Sequence, residues 1–88
     1  EIGLHPQAIS LLAKEIRMAS KTSQIIVSTQ SPLLLNEFTC EDIIVAEYDN
    51  INQRSTLRRH REANLREWLQ DYTLGELWEK NVLGGLPL

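Results

Sequence analysis

The sequence predicts an α/β fold, and three observations carry that prediction. Apolar residues first recur at three- and four-residue intervals, then give way to a continuous β-branched run, and then to a second apolar run backed by turn residues. A helix, then a strand, then another strand is the alternation of an α/β layer. The last third returns to helical spacing, which appends a helical tail.

Pro6 suits the first position of a helix, where its missing N–H costs nothing. Ile9, Leu12, Ala13, Ile16 and Ala19 then define one buried face of a helix from about Pro6 to Ser20, with Lys14, Glu15, Arg17 and Lys21 mostly off it. Thr22 and Ser23 mark a turn. Gln24-Ile25-Ile26-Val27-Ser28-Thr29 is the continuous run. It fits a strand covered on both faces, as in a parallel sheet. Ser31 as cap and Pro32 as first residue predict a short helical turn through Leu33-Leu34-Leu35-Asn36. Ile43-Ile44-Val45-Ala46-Glu47-Tyr48 reads as a second strand, and Asp49-Asn50-Ile51-Asn52 as turn chemistry. Arg54 to His60 is the return strand of a hairpin, polar enough for an edge, with Leu57 its one clear apolar contact.

In the tail, Ala63, Leu65, Trp68, Leu69 and Tyr72 share one helical stripe. Thr73-Leu74-Gly75-Glu76 has the spacing of a capping box. Leu74, Leu77, Trp78 and Val82 form a second apolar face that Gly84-Gly85 closes. Trp68, Tyr72 and Trp78 are expected in the core, with a docking surface as the other reading of the same aromatic residues.

Composition narrows the function classes. The chain has 88 residues, 42% hydrophobic and 24% charged, the balance of an ordered soluble domain. Its formal net charge of -3 gives no global attraction to nucleic acid or an anionic membrane. No apolar run approaches the roughly 20 residues that span a bilayer. A single cysteine, Cys40, rules out an internal disulfide framework and suits a reducing compartment. Its acidic neighbours Glu41 and Asp42 disfavour a thiolate. His5 and His60 are far apart and lack a second ligand at metal spacing, so no metal site is expected. Glu37, Glu41, Asp42 and Glu47 read as a solvated rim. Arg54, Arg58, Arg59 and Arg61, with His60, form the one basic cluster. They could contact phosphates, or they could simply keep an edge strand soluble.

Two loops remain. Glu1-Ile2-Gly3-Leu4-His5-Pro6 opens the chain, and Ser28-Thr29-Gln30-Ser31-Pro32 follows one helix and one apolar run later. Read singly, each is a loop entering a helix. Together, at this separation, they resemble the end of the nucleotide-binding core in RecF/SMC-like, ABC-type ATPases of the AAA family. The pattern there is Asp-Glu-Pro-Glu-aliphatic-Gly-Leu-His-Pro, then Ser-Thr-His-Ser-Pro. The likeness covers residue 1 to about 48.

The resemblance implies a partial P-loop NTPase layer with short parallel strands, a β-hairpin and a C-terminal helical tail. Residues 1–60 would be the C-terminal part of the ATPase core and residues 61–88 the tail. Gly3, Leu4 and His5 would belong to the D-loop, which touches nucleotide and the partner subunit. Gln30 would stand at the catalytic switch-histidine position, flanked by Ser28, Thr29 and Ser31. Glutamine still donates through its amide but carries no positive charge, so transition-state charge would be less stabilised. The catalytic glutamate would lie two positions before Glu1. ATP and Mg would serve the intact protein. This chain has no Gly-x-x-x-x-Gly-Lys-Ser/Thr loop and no Leu-Ser-Gly-Gly signature, so tight nucleotide binding and activity in isolation are not expected. The implied partners are the rest of the ATPase or a second subunit, with DNA contacted through Arg54, Arg58, Arg59 and Arg61. A cytoplasmic location and no membrane contact go with this. Self-association is also expected, because a strand built for the middle of a sheet lacks neighbours here. The alternative is a non-catalytic binding or assembly module derived from the same fold.

Overall fold

The computed structural model describes residues 5–86. Helix α1 spans Pro6–Ala19, with proline at its first position and His5 as cap. The predicted face is only half used. Ile9 and Ala13 are buried and Ile16 is partly so, whereas Leu12 stays largely exposed. Two turns follow, and then residues 24–30 run without regular secondary structure.

This overturns the expected strand at Gln24–Thr29. Among the described residues the sole sheet is two-stranded and antiparallel, so no parallel strand and no layer forms there. The reason is tertiary. A β-branched run becomes a strand when ladder partners and facing side chains accept it, and the described residues supply neither. Ile26 is 86% exposed as a result.

Helix α2 is a single turn, Pro32–Leu35, started by Ser31, whose hydroxyl accepts from the Leu34 amide at 3.2 Å. A 3₁₀ turn over Cys40–Asp42 comes next. Thr39 caps it by donating its amide and hydroxyl to the Asp42 carboxylate, each at 3.1 Å. Strands β1 (Val45–Asp49) and β2 (Arg54–Arg58) make the expected hairpin, with Val45 opposite Arg58 and Asp49 opposite Arg54. Side chains alternate across a strand. Val45, Glu47 and Asp49 therefore share the inner face with Arg58, Thr56 and Arg54, while Ala46 and Tyr48 share the outer face with Leu57 and Ser55. Leu57 is 73% exposed, so it makes no core contact as the sequence pattern had suggested.

Helix α3 (Glu62–Asp71) buries Leu65 and half-buries Leu69. Trp68 does not enter the core. It is 45% exposed and rests against Tyr72 at a centroid distance of 6.0 Å. Helix α4 spans Leu74–Glu79 and opens with the expected capping box between Thr73 and Glu76. It stops earlier than Gly84-Gly85. Asn81 takes the left-handed conformation (φ 59°), the Val82 amide donates to the Leu77 carbonyl, and the Asn81 amide donates to the Trp78 carbonyl. That paired bonding satisfies the last carbonyls of a helix. Gly85, at φ 80°, then folds the C-terminal segment onto β1, where a Cβ would stand 2.7 Å from the Val45 side chain.

Two cores result. The larger joins Cys40, Val45, Leu65, Leu74, Leu77 and Leu83, so the hairpin and the C-terminal helices are packed together. The smaller holds Ile9, Ala13 and Leu34, with Phe38 against it. Helix α2 belongs to both, since Leu34 faces one core and Leu35 the other. Its junction with α4 is tight. Asn36 accepts from the Gly75 amide at 2.7 Å, and a Cβ on Gly75 would collide with the Pro32 carbonyl. The Cα radius of gyration is 13.9 Å, above the about 12 Å expected of a close-packed domain this long.

Candidate functional site

The residues singled out by the two loops gather around the starts of α1 and α2. Gly3 and Leu4 lie outside the described residues. His5 is exposed, and its Nδ1 accepts from the Gln7 amide at 3.1 Å. In the neutral ring that bond puts the proton on Nε2. On the second loop, Ser28 and Gln30 are exposed and Thr29 is half-buried. The Thr29 hydroxyl accepts from the Ser31 amide at 3.0 Å, and Ser31, only 6% exposed, caps α2. These hydroxyls build the turn that leads into α2, as short polar side chains commonly do.

Side-chain contacts join α1 to α2 and the residues that follow it. Ile9 and Ala13 share a core with Leu34, Ser10 reaches the Glu37 carboxylate, and Arg17 donates to the Glu37 carbonyl at 2.8 Å while lying over Phe38. Ser10 and Arg17, seven residues apart on α1, both meet Glu37, so α1 lies across α2 and the residues just after it. His5 and residues 28–31 stand at the starts of α1 and α2.

The chemistry available there is limited. The side chains are hydroxyls, an imidazole and an amide, with no lysine or arginine among His5 and residues 28–31. The buried hydroxyl of Ser31 is turned to its own helix. This set does not fit a nucleotide by itself, since nothing in it neutralises phosphate charge. Among the described residues no group of three His, Cys, Asp or Glu side chains could hold a metal ion.

Elsewhere the arginine cluster is largely committed. Arg58 pairs with Glu47 across the hairpin, Arg59 donates to the Glu41 carbonyl at 2.5 Å, and His60 Nε2 lies 2.8 Å from the Leu83 carbonyl. Arg54 stands opposite Asp49 on the strand pair, and Arg61 precedes α3; both are exposed. Cys40 is buried, and its thiol is pushed above the ordinary 9.0 by desolvation, helped by the negative charges of Glu62, Glu41 and Asp42. That setting suits packing rather than reactivity. An open concavity of about 490 Å³ runs along the hairpin from Glu47 to Thr56, and neither His5 nor Gln30 lines it.

One feature escaped the sequence pattern. Leu11 and Met18, seven residues apart on α1, lie away from the Ile9–Ala13 face and are 60% and 54% exposed. They make a second, narrower apolar stripe, while Leu12 flanks the Ile9–Ala13 face. The signal was present, because the apolar residues of α1 occupy a wider arc than one buried face needs. No helix of the described residues is long and apolar enough to cross a membrane.

Comparison with known proteins bears on the front of the chain alone. Neither the curated proteins nor the solved structures contain a match to it. Residues 1–36 match a family model described as "AAA domain, putative AbiEii toxin, Type IV TA system", so this segment, both loops included, is similar to part of an AAA-type ATPase.

Proposed function

We propose that the chain is a segment of a RecF/SMC-like, ABC-type ATPase, running from the D-loop through the switch-histidine loop, and that the assembled protein acts in DNA maintenance or defence. The observation that carries this reading is the family match over residues 1–36, which includes both loops. One physical feature supports it. The front of the chain exposes Leu11, Met18 and Ile25–Val27, which the remainder of an ATPase core would cover.

On this reading Gly3, Leu4 and His5 link the two halves of the assembled enzyme, and Gln30 offers an amide where a histidine would offer a cation. Ser28, Thr29 and Ser31 hold the Gln30 loop in place. ATP and Mg belong to the assembled protein, located in the cytoplasm. The phosphate-cradling loop is not in this sequence, so no hydrolytic step runs through this chain alone. DNA contact, if made here, falls to Arg54 and Arg61, the exposed arginines outside the pairings of Arg58 and Arg59. The second reading, a non-catalytic assembly module, is favoured by one observation, the glutamine at position 30.

Calorimetry of the chain with ATP and magnesium should show nothing tighter than roughly millimolar, about -4 kcal/mol. A micromolar site would overturn the assignment of missing parts. In the intact ATPase, Gln30→His should raise turnover, and an unchanged rate would remove Gln30 from the active site.

A further inference from the structure

We propose that Asn36 is a positioning residue for Gln30, because its side chain locks the single turn of α2 to α4 and so fixes the loop that precedes α2. The inference rests on the ATPase reading of Gln30 and adds to it that the C-terminal helices set where the Gln30 amide stands. The first observation is a bond between distant segments. The Asn36 Oδ1 accepts from the Gly75 amide at 2.7 Å. The second is a close approach. Gly75 is buried, and its backbone lies so near the Pro32 carbonyl that a Cβ would not fit between them.

The bond has a physical reason. The first amides of a helix find no acceptor inside it. In α4 the Glu76 amide goes to the Thr73 hydroxyl, and the Gly75 amide goes to Asn36. Asn36 therefore serves the start of α4 from the end of α2. Removing its side chain takes the acceptor away from a part-buried donor, which is costly unless the helices shift to find another.

From Asn36 the path to Gln30 is short and stiff. The Asn36 amide donates to the Pro32 carbonyl at 3.1 Å, the Leu34 amide to the Ser31 hydroxyl at 3.2 Å, and the Ser31 amide to the Thr29 hydroxyl at 3.0 Å. Pro32 adds a fixed φ. Gln30 sits inside this set, between Thr29 and Ser31. Residues 24–30 have no regular secondary structure, so α2 is the element from which the loop takes its place. Helix α1 also packs on α2, through Leu34, but apolar contact has no direction. The Asn36 bond and the Gly75 approach do have one, and they set the angle of α2 on α4. Asn36 is itself exposed, so its substitution opens no cavity.

Amide chemical shifts of the full chain test the linkage without nucleotide. Asn36→Ala should move the backbone and side-chain amides of Gln30, and Asn36→Asp, which keeps an acceptor, should return them. Leu69→Ala, which weakens the larger core from α3, should leave them in place. In the intact ATPase, Asn36→Ala should lower kcat about tenfold with KM for ATP within about twofold, and Asn36→Asp should restore it. On a Gln30→Ala background the Asn36→Ala loss should vanish. Gln30 shifts indifferent to Asn36→Ala, or moved as far by Leu69→Ala, would overturn the proposal. A kcat loss that persists on the Gln30→Ala background would overturn it too, while the ATPase reading would stand. Turnover unchanged by Gln30→Ala would instead sink that reading, and the proposal with it.

Discussion

The two ends of this molecule obey the same rules with different success. From Thr39 onward, six buried residues from the 3₁₀ turn, β1, α3, α4 and the C-terminal segment close around one another, and Leu77 is 0% exposed. From Pro6 to Phe38 the core holds three buried apolar residues, while Leu11, Met18 and Ile26 face out. Apolar content does not explain the difference, since the front is rich in Ile, Leu and Val. What differs is the supply of facing surfaces. The back region brings a hairpin and two helices together, whereas among the described residues α1 lies on the single turn of α2 and on Glu37 and Phe38 just after it. An apolar face without an opposite face remains a face awaiting company.

The largest effect that could break this contrast comes from the cores themselves. Leu77→Ala should cost about 3 kcal/mol, read by urea unfolding through the fluorescence of Trp68 and Trp78, both of which lie in the back region. Ile9→Ala should leave that transition within about 0.5 kcal/mol of the parent, and should instead speed hydrogen exchange of the α1 amides. Equal shifts of one shared transition would show a single cooperative core, and the contrast would fail.

A smaller effect tests the joint. Gly75→Ala drives a Cβ into the Pro32 carbonyl and crowds Asn36, at a cost of about 1–3 kcal/mol. Because α2 serves both cores, this variant should loosen α1 and α4 together in hydrogen exchange. Loosening of α4 alone would show that the two regions are coupled elsewhere.

The smallest effects are in pH. The Asp49 carboxylate accepts from the Asn52 side chain and the Asn52 and Ile51 amides at the hairpin tip, and these bonds hold its pKa below the ordinary 3.8. A lowered folded value means the tip is firm above about pH 4 and loosens as pH falls through that lowered value. The Ile51 and Asn52 amide shifts should follow it, and Asp49→Asn should abolish the titration. Cys40 has the opposite sign. Its raised thiol value means that stability is intact below the ordinary 9.0 and declines as pH rises above it. The front region, which holds neither group, should show neither transition.

Local features were legible in the sequence. Pro6, the Ser31-Pro32 start of α2 and the Thr73–Glu76 capping box all appear where residue chemistry placed them, because each is settled within one helical turn. The hairpin was legible as an apolar run, a turn and a polar return. The absence of a strand at Gln24–Thr29 was not, and neither was the exposure of Trp68, since both depend on what lies opposite. Of the candidate site, the caps that hold it could be read from the sequence. How α1 lies against α2 required the contacts of Ile9, Ala13 and Arg17 with Leu34, Glu37 and Phe38.

The order of residues by itself determined where helices begin, where the chain turns, and which stretches are apolar, because those outcomes rest on backbone torsions and hydrogen bonds among near neighbours. Tertiary structure alone decided which apolar stretches are buried. Burial needs two surfaces, and among the described residues both partners are present for the C-terminal half, while the run at Ile25–Val27 stays exposed.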